Sequence, residues 1–203
     1  MDISDEILEQ AMSHFDTAGI VVEKGGSVLI LGLESRRERN LDEMAFKDGR
    51  MRLYGWTKHV KPRMLDLMDV FKEKGFEAEP VGWWGYPSGD TMRLKRWAVI
   101  AGVGQQGKNT LVLNPTFGTH LRLAALWTNA PLNPKEPGIY EQRENPFCQS
   151  CNACIDICPV EGLLQPYRLL APSRCLVNIE SVLVKDRLGE CREACRTVCP
   201  IGR

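Results

Sequence analysis

The chain has 203 residues, of which 43% are hydrophobic and 26% charged, which suits a globular protein with one sizeable core or a core plus a small cofactor module. Lysine plus arginine and aspartate plus glutamate balance at 26 each, so a chain-wide basic field is missing and no strong nucleic-acid binding is expected. No apolar run is long enough to span a bilayer, and the acidic start Asp2-Ile3-Ser4-Asp5-Glu6 lacks the apolar stretch of an export leader. The expected location is the cytoplasm, without membrane association, where cysteines serve metals rather than disulfides.

In chain order, Ile3, Ile7, Leu8, Met12 and Phe15 recur at helical spacing and predict an amphipathic helix over 3–15. Gly19–Glu23 and Ser27–Leu33 are apolar runs around Lys24-Gly25-Gly26, the pattern of a hairpin. Glu34–Arg50 is charged and reads as a mobile surface loop. Pro62 opens a run with Met64, Leu65, Leu67, Met68 and Phe71 that closes at Gly75, the expected start and stop signals of a helix. Phe76–Val81, Trp97–Ala101 and Thr110–Leu113 read as strands. A further strand is expected at Leu121–Trp127, with Leu121, Leu123, Ala125 and Trp127 on its buried face. Asn129 to Pro146, with Pro131, Pro134, Pro137 and Gly138, reads as a linker. The fold class expected is α+β, with an α/β domain over 1–130 and a small domain over 145–203.

The cysteines are segregated. Residues 1–147 contain none, and all eight lie between Cys148 and Cys199. Cys148-x2-Cys151-x2-Cys154-x3-Cys158-Pro159 has the spacing of the bacterial ferredoxin run, in which three thiolates wrap one cubane and the fourth ligates the other. The second group is Cys175, then Cys191-x3-Cys195-x3-Cys199-Pro200. Two Cys-Pro exits and cross-ligation assign Cys148, Cys151, Cys154 and Cys199 to one [4Fe–4S] cluster and Cys158, Cys175, Cys191 and Cys195 to another. Structural zinc more often shows two separated ligand pairs than a triple run ending in Cys-Pro.

A second motif, Gly102-x4-Gly107-Lys108, comes close to a phosphate-cradling loop. Asn109 stands where a Mg²⁺-binding Ser or Thr belongs, however, and a strand rather than a helix is expected to follow. The plainer reading is a glycine-rich turn that lets backbone approach another element.

The run from Ala101 to Gly118, the run from Leu121 to Leu132 and the eight cysteines together resemble the cobalamin-dependent epoxyqueuosine reductase family, whose core the respiratory reductive dehalogenases share. The match is dense from about Arg96 to Pro200; Ser27–Leu33 and Tyr54–His59 resemble family segments more loosely. The resemblance implies a nitroreductase-like α/β domain followed by a two-cluster ferredoxin domain, with a cobalamin whose cobalt is reduced through the clusters. Family cobalamin contacts fall near Val112, Leu123 and Val177 and at Arg192, Glu193 and Ala194. The family's proton-donating aspartate, counted back without gaps from Ala101-Gly102, lands on Ser88, a weaker acid than a carboxyl. A small gap brings Asp90 there instead, and Tyr86 as donor would resemble the dehalogenases. Tyr86-Pro-Ser-Gly-Asp90 also reads as a plain surface turn. His59 and His120 are candidates for a lower cobalt ligand or a general acid, against the commoner role of a polar cap. Trp83, Trp84 and Trp97 could line a flat cofactor pocket, although core packing is their ordinary use.

Two functions are expected from this reading. One is a cobalamin-dependent reductase of a small organic substrate, fed by a donor such as ferredoxin or flavodoxin. The other is a non-catalytic electron-transfer protein, or a reductive activator of a partner corrinoid protein.

Overall fold

Residues 2–48, 50–86, 91–168 and 194–201 are described by the computed structural model. The chain divides into two units: Met1–Val103 with His120–Glu141, and Gly104–Thr119 with Gln142–Arg203. The segment 104–119 thus groups with the cysteine-bearing part of the chain rather than with the residues on either side of it.

The first unit is built on an antiparallel sheet. Strands β1 (Thr17–Glu23) and β2 (Gly26–Glu34) pair from Thr17↔Gly32 to Glu23↔Gly26 around a turn in which Gly25 takes φ +94°, a conformation that favours glycine. Strand β2 is buried from Ser27 to Leu33 because it has a neighbour on each side and cover on each face. Leu29, Leu31 and Leu33 face one way, into a core shared with Ile7 and Ala11 of helix α1 (Ile3–His14). The same core takes Met64, Leu67 and Phe71 from helix α3 (Lys61–Glu73). Between β2 and α3 lie the short hairpin of β3 (Met44–Lys47) and β4 (Arg50–Leu53) and the six-residue helix α2 (Tyr54–His59). The third and fourth strands of the main sheet, in the order β1-β2-β8-β5, are the later β8 (Leu121–Thr128) and the short β5 (Ala78–Pro80).

Several expectations need correction. Trp97–Ala101 is not a strand but the end of helix α4 (Thr91–Ile100). Leu94, Trp97 and Ala98 are buried at helical spacing, Val99 beside them is buried too, and the helix packs on β1, β2 and β8. A short apolar run does not by itself distinguish the two structures. Arg93 stacks over Trp97 at 4.5 Å and Arg96 over Tyr140 at 5.0 Å, so the charged positions are used as well. Strand β8 has both faces covered. Ala124, Leu126 and Thr128 are as buried as Leu121 and Ala125, whereas Leu123 and Trp127 are only partly so, because β8 sits in the sheet interior between β2 and β5.

Glu34–Arg50 is not simply a loop, since it contains β3, and its charges find local partners. Arg36 reaches Glu34 at 3.0 Å, and Arg39 pairs with Asp16 while its Nε donates to the Glu34 carbonyl at 2.9 Å. Asp42 takes a bidentate grip from Arg122 of β8, with Nε and Nη2 both donating at 2.7 Å. This pair is half-buried, and Asp42→Ala should lower the free energy of unfolding by about 2 kcal/mol, read from the urea midpoint. The first part of the expected linker belongs to the core. Ala130 and Leu132 are buried, Ser27 Oγ donates to the Ala130 carbonyl at 3.1 Å, and Leu132 N–H donates to Ser27 Oγ at 3.3 Å.

In the second unit, β6 (Gln105–Gln106) pairs with β7 (Val112–Leu113), so the strand expected at Thr110–Leu113 is shortened to two residues. Thr110 is instead a turn residue with φ +67°. A 3₁₀ turn (Pro146–Ser150) follows, its first N–H groups met by Asn145 Oδ1, which accepts from Phe147 N–H at 3.0 Å. Short helices α5 (Ala153–Asp156) and α6 (Ala194–Thr197) complete the described part. Among the described residues no helix is long and apolar enough to cross a membrane.

Candidate metal centre and proton-donor segment

In the second unit, Cys148, Cys151, Cys154 and Cys199 line one small pocket. Three of them are buried, and Cys148 and Cys199 share an apolar cluster with Leu113 of β7. Local structure explains the convergence. The 3₁₀ turn carries Cys148 and ends at Cys151, and α5 begins two residues later and carries Cys154. Cys199 follows α6, with its N–H donating to the Arg196 carbonyl at 3.3 Å. Burial, and then the neighbouring thiols of Cys148, Cys199 and Cys151, push the Cys154 thiol up to about 11.

Among the described residues no three His, Cys, Asp or Glu side chains converge on a single metal ion. The donor set fits a [4Fe–4S] group, in which each of the four thiolates holds its own iron at the edge of a shared space. Cys158 and Cys195, assigned to the other cluster, are partly exposed, and Cys158 Sγ accepts from the Gly162 N–H at 3.3 Å. Cys175 and Cys191 lie outside the described residues.

The glycine-rich run is not a nucleotide loop. It begins at the end of a helix rather than a strand. Gly102, at φ +71°, donates to the Val99 carbonyl at 3.1 Å, and Val103 N–H reaches the Ala98 carbonyl at 2.9 Å, so Gly102 ends α4 in a Schellman motif. Beyond it, the chain brackets the cysteine loops. Lys108 Nζ donates to Asn152 Oδ1 at 2.8 Å and to the Gln149 carbonyl at 3.4 Å. Asn109 Nδ2 donates to the Cys195 carbonyl at 3.3 Å, Thr119 Oγ1 to the Arg196 carbonyl at 3.1 Å, and Gln106 Nε2 to the Tyr167 carbonyl at 3.1 Å. Sequence reasoning missed these roles for Gln106, Lys108, Asn109 and Thr119. The only signal was a conspicuous motif that failed the nucleotide test.

In the first unit, Tyr86 is delivered by a tight turn. Trp83 and Tyr86 pair backbone to backbone at 3.1 and 2.9 Å, with Trp84 at φ +51° and Gly85 at φ +77° between them. A Cβ on Gly85 would stand 2.6 Å from Met64 Cε and 2.9 Å from Ala124 Cβ, so glycine lets the turn lie directly on β8. The Tyr86 ring meets Trp56 edge-on at 5.1 Å. Burial above all, then the Asp42 carboxylate, raises its phenol above the ordinary value, with Arg122 opposing. Tyr86 therefore keeps its proton at neutral pH. Ser88 and Asp90 lie outside the described residues.

The other candidates fall in different places. Val112 is buried in β7 of the second unit, Leu123 is partly buried in β8 of the first, and Ala194 opens α6. Val177, Arg192 and Glu193 lie outside the described residues. His59 ends α2, and burial, then the Lys58, Arg63 and Arg39 charges, lowers its pKa, which leaves it little proton to donate at neutral pH. The His120 carbonyl accepts from Ser35 N–H at 2.9 Å. Trp97 is a core residue whose Nε1 donates to Glu23, Trp84 stacks under Lys61 at 4.5 Å, and Trp83 is exposed.

Fold and pocket define a mixed helix-and-sheet protein with a thiol-lined unit. Comparison with known proteins is more specific. The chain is 29% identical over 208 residues to the epoxyqueuosine reductase of Cyclobacterium marinum, covering 94% of this chain and 64% of that protein. It is 35% identical over 159 residues to that of Pseudomonas aeruginosa, covering 73% and 41%. The chain therefore spans roughly two-fifths to two-thirds of the length of these relatives. Epoxyqueuosine reductase from Bacillus subtilis, solved with its catalytic aspartate loop swung out of the active site, superposes with a TM-score of 0.69 at 20% identity over 98% of this chain and 65% of that one. An epoxyqueuosine reductase crystallised with an epoxyqueuosine-modified tRNA-Tyr stem loop gives the same TM-score and identity over 98% and 64%. A reductive dehalogenase gives 0.53 at 14% identity over 77% and 25%. No family model matches the chain. The chain belongs to the epoxyqueuosine reductase-like family.

Proposed function

We propose that the chain is a cytoplasmic reductase of the epoxyqueuosine reductase type, holding two [4Fe–4S] clusters and working with a bound cobalamin. The observation that carries this reading is the convergence of Cys148, Cys151, Cys154 and Cys199 on one pocket, the set that cross-ligation assigns to a single cluster. When bound, the clusters supply single-electron transfer and the cobalamin supplies a reducing metal centre. Cys158, Cys175, Cys191 and Cys195 would hold the second cluster, and Val112, Leu123, Val177, Arg192, Glu193 and Ala194 would contact the corrin. The finer architecture in this reading is a nitroreductase-like domain over 1–130 followed by a ferredoxin-like domain over 145–203. A soluble ferredoxin or flavodoxin is the electron donor in this scheme.

Tyr86 holds a proton at its phenol oxygen and is the donor that the described residues offer, beside Ser88 and Asp90 on the same segment. The expectation of a small organic substrate gives way here to a modified nucleoside in tRNA, because one structural neighbour holds such a stem loop. The purely electron-transferring alternative is not favoured by relatives that are themselves reductases.

The test uses the chain purified without oxygen and supplied with iron, sulfide, cobalamin and reductant. About eight irons, a corrin spectrum and reduction of an epoxyqueuosine-modified stem loop are expected. Zinc in place of iron, or no corrin uptake and no conversion, would overturn the reading. Tyr86→Phe should slow conversion by about 10²–10⁴-fold while leaving iron and corrin content unchanged.

A further inference from the structure

Lys108 is 9% exposed and its side chain lines the pocket formed by Cys148, Cys151, Cys154 and Cys199, while its ammonium group turns to the loop between Cys148 and Cys151 and to Asn152. Among the described residues both of its hydrogen-bond partners, Asn152 Oδ1 at 2.8 Å and the Gln149 carbonyl at 3.4 Å, are neutral. Burying an ammonium without a counter-charge is costly, and proteins normally pair such a group with an anion. Four cysteine ligands together supply that anion once they are ionised around a metal cluster. The position is also fixed from both sides. Tyr167 N–H donates to the Lys108 carbonyl at 3.2 Å, and Gly107 N–H donates to the Leu111 carbonyl at 2.8 Å, which closes the turn that aims the side chain inward.

We propose that Lys108 is the fixed counter-charge of the cluster held by Cys148, Cys151, Cys154 and Cys199, and that it raises that cluster's reduction potential. Reduction adds one electron to the cluster and no proton to Lys108. A positive charge buried beside the loop that carries Cys148 and Cys151 stabilises the more negative, reduced form, and the effect is strengthened because the local dielectric is low. The Asn152 amide and the Gln149 carbonyl orient the ammonium without neutralising it. The near-match to a nucleotide loop thereby has a role: its lysine serves an iron–sulfur group rather than a phosphate.

The inference rests on the two-cluster reading above, and the experiment separates the two. The full chain, Lys108→Met, Lys108→Arg and Asn152→Asp are reconstituted anaerobically, assayed for iron and sulfide, and titrated electrochemically with the reduced clusters followed by electron paramagnetic resonance. Lys108→Met should shift one of the two couples to lower potential, cutting its reduced-to-oxidised ratio at fixed potential about tenfold, which is about 59 mV for a one-electron couple. The other couple should stay in place. Lys108→Arg keeps the charge and should stay near the parent. Asn152→Asp places a carboxylate against the ammonium and should lower the same couple, so the test survives if Lys108→Met loses its cluster. Unshifted couples in iron-replete Lys108→Met or Asn152→Asp, or an equal shift in Lys108→Arg, would overturn the proposal. A parent chain without iron and sulfide would overturn it together with the reading on which it rests.

Discussion

Cys148→Ala/Cys154→Ala protein, reconstituted without oxygen, is expected to bind about four irons where the parent binds about eight. Both residues line the pocket that Cys151 and Cys199 share, and removing two of four thiols leaves too few ligands to close a cubane there. The other set, Cys158, Cys175, Cys191 and Cys195, is untouched, so half the iron and one spectroscopic signal should persist. Unchanged iron content would show that cross-ligation does not divide the cysteines in this way.

The metal-free pocket makes a companion prediction about pH. Crowded burial pushes the Cys154 thiol from an ordinary value of 9.0 to about 11, so the folded apoprotein prefers the neutral thiol. That preference contributes stability in full below pH 9.0, the unfolded value, and the contribution is lost as pH rises toward about 11. Cluster binding needs the thiolate and must expel this proton. Reconstitution should therefore be faster at about pH 8.5 than at about pH 7, as followed by the growth of the cluster absorbance.

The elements legible in the sequence were those whose signals are local. Helix α3 shows proline at its start and glycine past its end, and β1 and β2 show apolar runs around a glycine turn. The grouping of the four cysteines that line one pocket was legible too, from the spacing from Cys148 to Cys154 and the Cys-Pro exit at Cys199, and the cluster they would hold belongs to the proposed function. Three things were not. Helix α4 shows four apolar-leaning residues in a row at its end, too few to separate a period of 3.6 from one of 2, and its burial is decided by the sheet it lies on. The two-sided burial of β8 depends on its neighbours in the sheet: Phe76–Val81 reads as a strand and β5 does form within it at Ala78–Pro80, but its pairing with β8, much later in the chain, has no local signal. The bracket made by Lys108 and Asn109 depends on hydrogen bonds to Gln149, Asn152 and Cys195, far along the chain, which no window around Gly107 contains.

That bracket makes Gly104→Val the most informative single substitution outside the cysteines. A Cβ at 104 would stand 2.5 Å from the Leu113 carbonyl oxygen and 2.9 Å from its carbon, and backbone there cannot step aside as a flexible side chain could. Strand β6 would have to lift from β7, at a cost of about 3 kcal/mol, the upper end for overpacking. The displacement would reach Gln106, whose N–H bonds the Arg143 carbonyl at 2.6 Å and whose carbonyl accepts from Asn145 N–H at 2.9 Å, at the entrance to the Cys148 turn. Lys108 and Asn109 follow in the same segment, so three tethers of the cysteine loops would loosen at once. Gly104→Val protein is therefore expected to lose the iron of the Cys148 pocket severalfold faster than the parent under a mild chelator. The core of Leu29, Leu31, Phe71 and Leu126 belongs to the other unit, and its hydrogen-exchange protection should stay close to that of the parent. Equal loss of protection there would mean that the two units do not respond separately. Unchanged iron retention would mean that the segment from Gly104 to Thr119 does not brace the cysteine loops.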